Sequence, residues 1–174
     1  ITWPETDLTE TEQQAFINLL EQRIIGHPIA HLIGSRAFWN FNLEVSPDVL
    51  IPRPETELLV EIILERLDEN NLLLADLGTG SGAIALAIAS ERENWQIVAT
   101  DLSEAALSIA KQNAKNLKLS NIEFRHGSWT EALEGKKSNE QNKKQNNELF
   151  DAIISNPPYI DKTDKHLSQG DVRF

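Results

Sequence analysis

The sequence predicts an α/β fold with a parallel sheet, and two observations carry that prediction. Short apolar runs alternate with helical segments between residues 72 and 155, and such alternation is typical of βαβ units. A glycine-rich turn at residues 78–82 lies directly between one of these runs and a helical segment. Turns of this kind allow a ligand to approach the main chain and the free N–H groups of a helix N-terminus.

The first part of the chain predicts a helix followed by extended chain. Thr9 and Glu12 have the spacing of a capping box, and Gly26 and Pro28 end the helix. From Ala37 the apolar residues recur every second position up to residue 46. This alternation predicts a half-buried strand or the two arms of a hairpin.

A second helix is predicted from Pro54, which suits a first helical turn. Its apolar residues recur at helical spacing and predict a buried stripe, made of Leu58, Leu59, Ile62, Ile63 and Leu67.

The remaining elements form the predicted sheet and its covering helices. Strands are predicted at residues 72–76, 96–101, 122–126 and 150–155, and helices at residues 83–90 and 104–117. The nearly continuous apolar run of the fourth strand favours a sheet covered on both faces. The stretch at residues 134–148 contains no apolar side chain and predicts a solvated loop. We expect a plain surface insertion there rather than lysines that contact a nucleic acid.

Composition narrows the classes of function. The 174-residue chain has 27 acidic and 16 basic residues and a formal charge of −11, which argues against a large nucleic-acid surface and suits a basic partner. It has no cysteine, which excludes disulfides, cysteine-ligated zinc and thiol catalysis and fits a cytoplasmic protein. Its four histidines form no metal-binding pair, and we expect no metal. No apolar run approaches the roughly 20 residues that span a bilayer, so no membrane association is expected.

The glycine turn permits more than one interpretation. Asp101 ends the next strand, where a carboxylate can accept hydrogen bonds from ribose hydroxyls. Gly78, Gly80 and Ala83 also satisfy a dinucleotide fingerprint, and the glycines could serve only to make a tight turn. Asp76 at the strand end would repel a pyrophosphate but attract the ammonium of a methionine group. The turn therefore resembles an S-adenosylmethionine motif more than an NAD motif.

A stiff turn, Asn156-Pro157-Pro158-Tyr159, follows the fourth predicted strand. Its two prolines fix two φ angles and remove two backbone donors. The tetrapeptide resembles that of the amino-group methyltransferases. The resemblance implies that the Asn156 side-chain oxygen and the Pro157 carbonyl accept hydrogen bonds from the target NH2, while the Tyr159 ring packs on the group that carries it. Two acceptors would turn the nitrogen lone pair toward the methyl group and stabilise the charge that grows on nitrogen.

A closer resemblance is to the HemK-type protein-(glutamine-N5) methyltransferases, which modify peptide chain release factors. It rests on "HPIAHLIGSRAFW", "VSPDVLIPRPETE", "DLGTGSGAIALAIA", "SNPPYID" and "QGDVRF". The family usually has an acidic residue at the position of Ser128, which implies that one adenine contact is weaker here.

The resemblance implies a role for each motif residue, with S-adenosyl-L-methionine as the cofactor. Residues that would hold the methionine part are Asp76, Gly78, Thr79, Gly80, Ser81 and Gly82. Asp101 would hold the ribose and Trp129 would lie by the adenine, although Trp129 could instead be a core aromatic. Asn156 would contact both cofactor and substrate. The rest of the substrate site would be Pro157, Pro158 and Tyr159, with Arg53 and Glu55 lining the cleft.

The resemblance also implies a domain plan. Residues 1–36 would end an N-terminal helical substrate-binding domain, residues 37–52 would be a β-hairpin linker, and residues 53–174 would be an incomplete methyltransferase domain. Its Rossmann-like class I sheet would be truncated after about strand four. We therefore expect a fragment that is poorly stable or inactive alone, from a protein that is monomeric when complete.

Three other functions stay open at this point. A nucleic-acid amino-methyltransferase, acting on adenine N6 or guanine N2, would need base flipping and a basic surface or recognition domain. A truncated domain could bind a nucleotide or a partner without catalysis. An NAD enzyme would need a hydride-transfer site, and the sequence offers none.

Overall fold

The structure is a computed structural model that describes residues 7–133 and 149–157. The predicted loop at residues 134–148 therefore lies outside the described residues. The described chain divides into two compact units, residues 7–34 and residues 35–133 with 149–157.

The first unit contains two helices, α1 (Glu10–Ile24) and α2 (Ile29–Ile33). The predicted capping box of α1 is confirmed, because the Thr9 hydroxyl accepts from the Glu12 N–H while the Glu12 carboxylate accepts from the Thr9 N–H. The short helix α2 was not predicted. It ends at Gly34, whose φ of 71° is in the left-handed region that glycine favours.

The second unit begins with the hairpin, which confirms that prediction. Strands β1 (Ser35–Phe38) and β2 (Phe41–Glu44) pair in antiparallel fashion. Phe38 and Leu43 point into the core. The turn between the strands is held by Glu57, whose carboxylate accepts from the Trp39 N–H at 2.9 Å.

The parallel sheet has four strands among the described residues: β3 (Leu73–Leu77), β4 (Gln96–Asp101), β5 (Ile122–His126) and β6 (Ala152–Ser155). Their order is β5-β4-β3-β6, and each neighbouring pair is parallel. This confirms the predicted α/β sheet. The carboxyl ends of β3 and β4 therefore lie side by side, with β6 on the other side of β3.

Helices α4 (Ala83–Glu91) and α5 (Glu104–Asn116) cross between the strands. Every residue from Ala83 to Ala89 is buried, because α4 is apolar all round and must be covered on all sides. Together with β3, β4 and the hairpin it forms the main core.

The buried face of α3 (Glu57–Arg66) differs from the predicted stripe. Leu58 is 57% exposed and Ile62 is 38% exposed, whereas Val60 is fully buried. Leu59 and Ile63 are partly buried, as predicted. The helix is apolar around most of its circumference, so its spacing alone does not identify which side faces the sheet.

Within the described ranges, no helix is both long and apolar enough to cross a membrane.

Candidate active site

A cavity of about 380 Å³ opens at the carboxyl ends of the parallel strands in the second unit. This is the edge of an α/β sheet where ligands bind. The cavity is lined by residues from five places. They are Asp48, Val49 and Leu50 after the hairpin; Leu77, Gly78 and Gly80 at the end of β3; Thr100, Asp101, Leu102, Ser103 and Ala106 at the end of β4 and the start of α5; Gly127, Ser128 and Trp129 after β5; and Asn156 and Pro157 after β6.

The glycine turn is bound to the end of β4 by backbone hydrogen bonds. The N–H groups of Gly78 and Thr79 both donate to the Thr100 carbonyl at 2.9 Å. The Gly80 N–H donates to the Asp101 carboxylate at 2.8 Å. These bonds hold the turn in one shape before any ligand arrives.

The three glycines serve two different purposes. All have φ between 57° and 87°, which side-chain-bearing residues rarely adopt. A Cβ built on Gly78 or Gly80 would meet nothing within 4 Å, so these two leave open space over the backbone. A Cβ on Gly82 would lie 2.9 Å from Leu86 Cδ1 and 3.3 Å from Ala110 Cβ. Gly82 therefore permits close packing of helices rather than ligand approach.

Asp101 is the carboxylate at the end of β4. One oxygen accepts from the Gly80 N–H, and the other accepts from the Ser103 N–H at 2.9 Å. Since each carboxylate oxygen can accept two hydrogen bonds, both retain capacity toward the cavity. A pair of vicinal hydroxyls is a suitable partner for such a group.

Asp76 lies behind the glycine turn and does not line the cavity. It is 1% exposed, and one of its oxygens accepts from the Thr79 hydroxyl at 2.6 Å. Burial raises the pKa of Asp76 to about 6, although the hydrogen bond from the Thr79 hydroxyl partly offsets that rise. Thr79 and Ser81, also predicted to hold a cofactor, are themselves buried.

Asn113 on α5 fixes the glycine turn from behind, a role that the sequence did not suggest. It is 2% exposed, and its amide nitrogen donates to the carbonyls of Ser81 and Glu44 at 2.9 and 3.1 Å. Its oxygen accepts from the Glu44 N–H at 2.7 Å. One side chain thus joins the hairpin, the turn and α5.

Trp129 is in the cavity wall and is not a core aromatic. Its side chain is 57% exposed, and its φ of 46° is unusual for a bulky residue. Gly127 permits this bend, because a Cβ there would lie 2.9 Å from Ala132 Cβ. The exposed side chains of Leu50 and Leu102 also border the cavity, so its walls suit a flat, largely apolar ring.

Asn156 and Pro157 follow β6 and line the same cavity. The preceding Ser155 donates its hydroxyl to the Leu77 carbonyl at 2.8 Å. The Asn156 amide nitrogen donates to the Thr56 hydroxyl at 3.0 Å. Pro158 and Tyr159 lie outside the described residues, so their predicted roles stay predictions.

The segment after the hairpin contributes to the site differently from the prediction. Arg53 and Glu55, expected to line a cleft, are exposed and do not line the cavity. Asp48, Val49 and Leu50 do line it. Sequence reasoning noted the stretch "VSPDVLIPRPETE" but assigned these three residues no role. A turn in which Ser46 accepts from the Asp48 N–H places them.

The arrangement of the described cavity residues fits a nucleoside. Open space over Gly78 and Gly80, free acceptor capacity on Asp101 and a flat apolar wall around Trp129 match a sugar with an attached ring. Across residues 7–133 and 149–157, no group of three or more histidine, aspartate or glutamate side chains could hold a metal.

Comparison with known proteins identifies relatives of this chain. It is 48% identical over 174 residues to the release factor glutamine methyltransferase of Aliivibrio fischeri, covering all of this chain and 57% of that protein. It is also 48% identical to the protein of the same name from Escherichia coli, of which it covers 58%. The chain thus spans a little more than half the length of these curated relatives. The resemblance to HemK-type enzymes is confirmed.

The fold is also found in solved structures. A tRNA (uracil-54, C5)-methyltransferase from Pyrococcus abyssi, in complex with S-adenosyl-L-homocysteine, matches 71% of this chain and 28% of its own at 19% identity and a TM-score of 0.50. Residues 68–169 match the family model described as a methyltransferase domain. This range includes β3 to β6, the glycine turn, Asp101 and Asn156. The chain belongs to the methyltransferase domain family.

Proposed function

We propose that the protein transfers a methyl group from S-adenosyl-L-methionine to the side-chain amide N5 of a glutamine in a peptide chain release factor. The observation that carries the proposal is that Asn156 and Pro157 line the same cavity as Gly78, Gly80 and Asp101. A group that can hold an amide NH2 and a surface that can hold a nucleoside therefore face one space.

The cavity residues have separate tasks in this proposal. Asp101 accepts from the ribose hydroxyls, and Trp129 packs beside the adenine. Gly78 and Gly80 leave room for the methionine part. Asp76 is buried behind the turn, so its charge acts on the bound ammonium through the turn rather than by a direct contact. The cofactor supplies an activated methyl group on a sulfonium, so the protein needs no covalent intermediate.

The acceptor side must overcome the poor nucleophilicity of an amide nitrogen. Asn156 Oδ1 and the Pro157 carbonyl accept the two N–H groups of the glutamine and turn the nitrogen lone pair toward the methyl group. A C–N bond forms as the S–CH3 bond breaks, and the electron pair of the broken bond stays on sulfur. The nitrogen then gives up one proton to solvent. The two acceptors stabilise the positive charge on nitrogen in the transition state, and holding the reactants in line lowers the entropic cost.

The names of the relatives and the net charge of −11 support a release factor as the partner. We expect the target to be the glutamine of a Gly-Gly-Gln loop. An acidic protein surface suits a basic partner and disfavours phosphate.

The test uses the complete protein, since this chain spans a little more than half the length of its relatives. It measures methyl transfer from labelled S-adenosylmethionine to a purified release factor, compared with a factor whose Gly-Gly-Gln glutamine is changed to alanine. We expect label on the first factor and none on the second. Label that persists on the alanine factor would refute the proposal. Transfer to DNA or RNA in parallel reactions, with none to the factor, would assign the nucleic-acid alternative instead.

A further inference from the structure

We infer that Thr56 is a positioning residue for methyl transfer, because it fixes the orientation of the Asn156 side-chain amide. The inference rests on the proposed function, which makes Asn156 Oδ1 an acceptor for the substrate amide. Thr56 does not line the cavity, so its effect is exerted through Asn156.

The contact joins two distant parts of the chain. Asn156 Nδ2 lies 3.0 Å from Thr56 Oγ1, across 100 positions of sequence. Among the described residues, this is the one hydrogen bond recorded for the Asn156 side chain. Its distance is that of an ordinary N–H···O bond.

Thr56 is itself held firmly, which a positioning residue must be. It is 8% exposed. It ends a 3₁₀ turn that starts at Pro54, and its N–H donates to the Arg53 carbonyl at 3.0 Å. The helix α3 follows directly and buries Val60 against the core. The hydroxyl is therefore fixed to the core and is not on a freely moving side chain.

The chemistry of an asparagine amide explains why this orientation matters. The group has an oxygen that accepts and an NH2 that donates. With Nδ2 bonded to Thr56, Oδ1 is the atom left for the substrate. A reversed amide would present its NH2 to the NH2 of the substrate, and two donors repel. Thr56 thus keeps an acceptor directed at the position where positive charge develops.

The backbone and the side chain of this turn have separate anchors. Ser155 pairs with Leu77 in the sheet and donates its hydroxyl to the Leu77 carbonyl. These bonds set the path of the main chain but leave the Asn156 side-chain torsions free. The Thr56 hydroxyl restricts those torsions, so its removal should slow transfer without moving the strand.

The kinetic test compares Thr56→Val, which keeps the shape but removes the hydroxyl, with Thr56→Ser, which keeps the hydroxyl. Thr56→Val should lower kcat about three- to tenfold, the worth of one neutral hydrogen bond. The KM for the release factor and the Kd for S-adenosylmethionine should change less than twofold, and Thr56→Ser should restore kcat to within twofold. Ser120→Ala, which removes a hydroxyl at an exposed position before β5 and outside the cavity, is the control and should leave kcat unchanged. A kcat of Thr56→Val within twofold of wild type, or no rescue by serine, would overturn the inference.

A second measurement tests the contact without any substrate. The side-chain amide signals of Asn156 can be followed by NMR in protein labelled with ¹⁵N-asparagine and assigned by their loss in Asn156→Ala. We expect slowed hydrogen exchange in wild type and in Thr56→Ser, and exchange at the rate of a free amide in Thr56→Val. Equal exchange in all three proteins would show that Thr56 does not hold the amide. A wild-type protein that labels no glutamine would instead refute the proposed function, while the amide signals still decide whether the contact exists.

Discussion

The cavity has two halves. The glycine-turn half contains Gly78, Gly80 and Asp101 and lies at the ends of β3 and β4, whereas the Asn156 half contains Asn156 and Pro157 and follows β6. Among the described strands, β3 and β4 each have two neighbours, while β6 pairs with β3 alone. Ile153 on β6 is 55% exposed. The turn is bonded to Thr100, Asp101 and Asn113, but the Asn156 side chain is bonded to Thr56 alone within the described chain.

This difference suggests that the glycine-turn half determines cofactor binding and that the Asn156 half determines the rate of methyl transfer. Thr79, Ser81 and Asn113, which support the glycine-turn half, are buried, so changing residues of this half should alter both stability and cofactor affinity. Residues of the Asn156 half contribute little buried area, so changing them should mainly alter the rate of transfer. The predictions below test that separation, beginning with the largest expected effect.

The largest effect is expected from Asn156→Ala. Loss of an acceptor aimed at the developing charge should lower the single-turnover rate by about 100-fold or more, with little change in melting temperature. Asn70→Ala, at an exposed position before β3, is the matched control and should leave the rate unchanged. Equal rates for the two variants would contradict the role of Asn156.

A smaller effect, on stability, is expected from Asn113→Ala. It removes three hydrogen bonds between α5, the hairpin and the glycine turn, one of them buried and two part-buried. The free energy of unfolding should fall by about 2–4 kcal/mol, measured by denaturant titration. Asn116→Ala removes two exposed hydrogen bonds, one from the Gln112 side chain and one to the Glu44 carboxylate, and should cost less than about 0.5 kcal/mol. Similar losses in both variants would refute the proposed clamp.

Gly82→Ala should mainly lower stability, whereas Gly80→Ala should mainly lower the affinity for the cofactor. A Cβ at residue 82 would lie 2.9 Å from Leu86 Cδ1, so Gly82→Ala should destabilise the protein by about 2–3 kcal/mol. A Cβ at residue 80 meets nothing in the protein, so Gly80→Ala should cost only about 1–2 kcal/mol from its left-handed backbone. Gly80→Ala should nevertheless weaken cofactor binding at least tenfold. Thermal melts and binding titrations of both variants measure these effects, and a larger loss of affinity in Gly82→Ala would contradict the prediction.

The smallest effect concerns the pH dependence of stability through Asp76. Its pKa is raised from 3.8 to about 6 by burial, so the folded state binds more protons than the unfolded state between these values. The stability that Asp76 contributes is therefore greatest below about pH 4 and is lost as pH rises through 6. From pH 4.5 to 6.5, wild type should lose about 2 kcal/mol relative to Asp76→Asn. A difference between the two proteins that does not vary with pH would show that Asp76 does not titrate in this range.

Local sequence patterns predicted the bounds of the strands that consist of a short apolar run. Strands β4 and β5 begin and end where expected, because each is a short apolar run bounded by turn residues. Gly78, Gly80, Asp101, Asn156 and Pro157 were among the predicted site residues and line the cavity, since ligand positions in this fold follow strand ends. Leu102, Ser103 and Ala106 also line it and were not predicted.

Long-range contacts were not predictable in the same way. Thr56 and Asn156 are 100 residues apart, and only the folded chain brings the PRPETE segment beside β6. The buried face of α3 was partly misassigned because Leu58 and Val60 are equally apolar, and only packing distinguishes them. The position of Asp76 behind the turn, rather than in the cavity wall, likewise depends on tertiary structure.

The most direct test of the division between the two halves is a calorimetric titration of S-adenosylmethionine into wild type, Asn156→Ala and Gly80→Ala. We predict that Asn156→Ala binds within about threefold of wild type, because its role is in transfer, and that Gly80→Ala loses at least tenfold in affinity. An affinity that falls as much in Asn156→Ala as in Gly80→Ala would contradict the separation of binding from reaction.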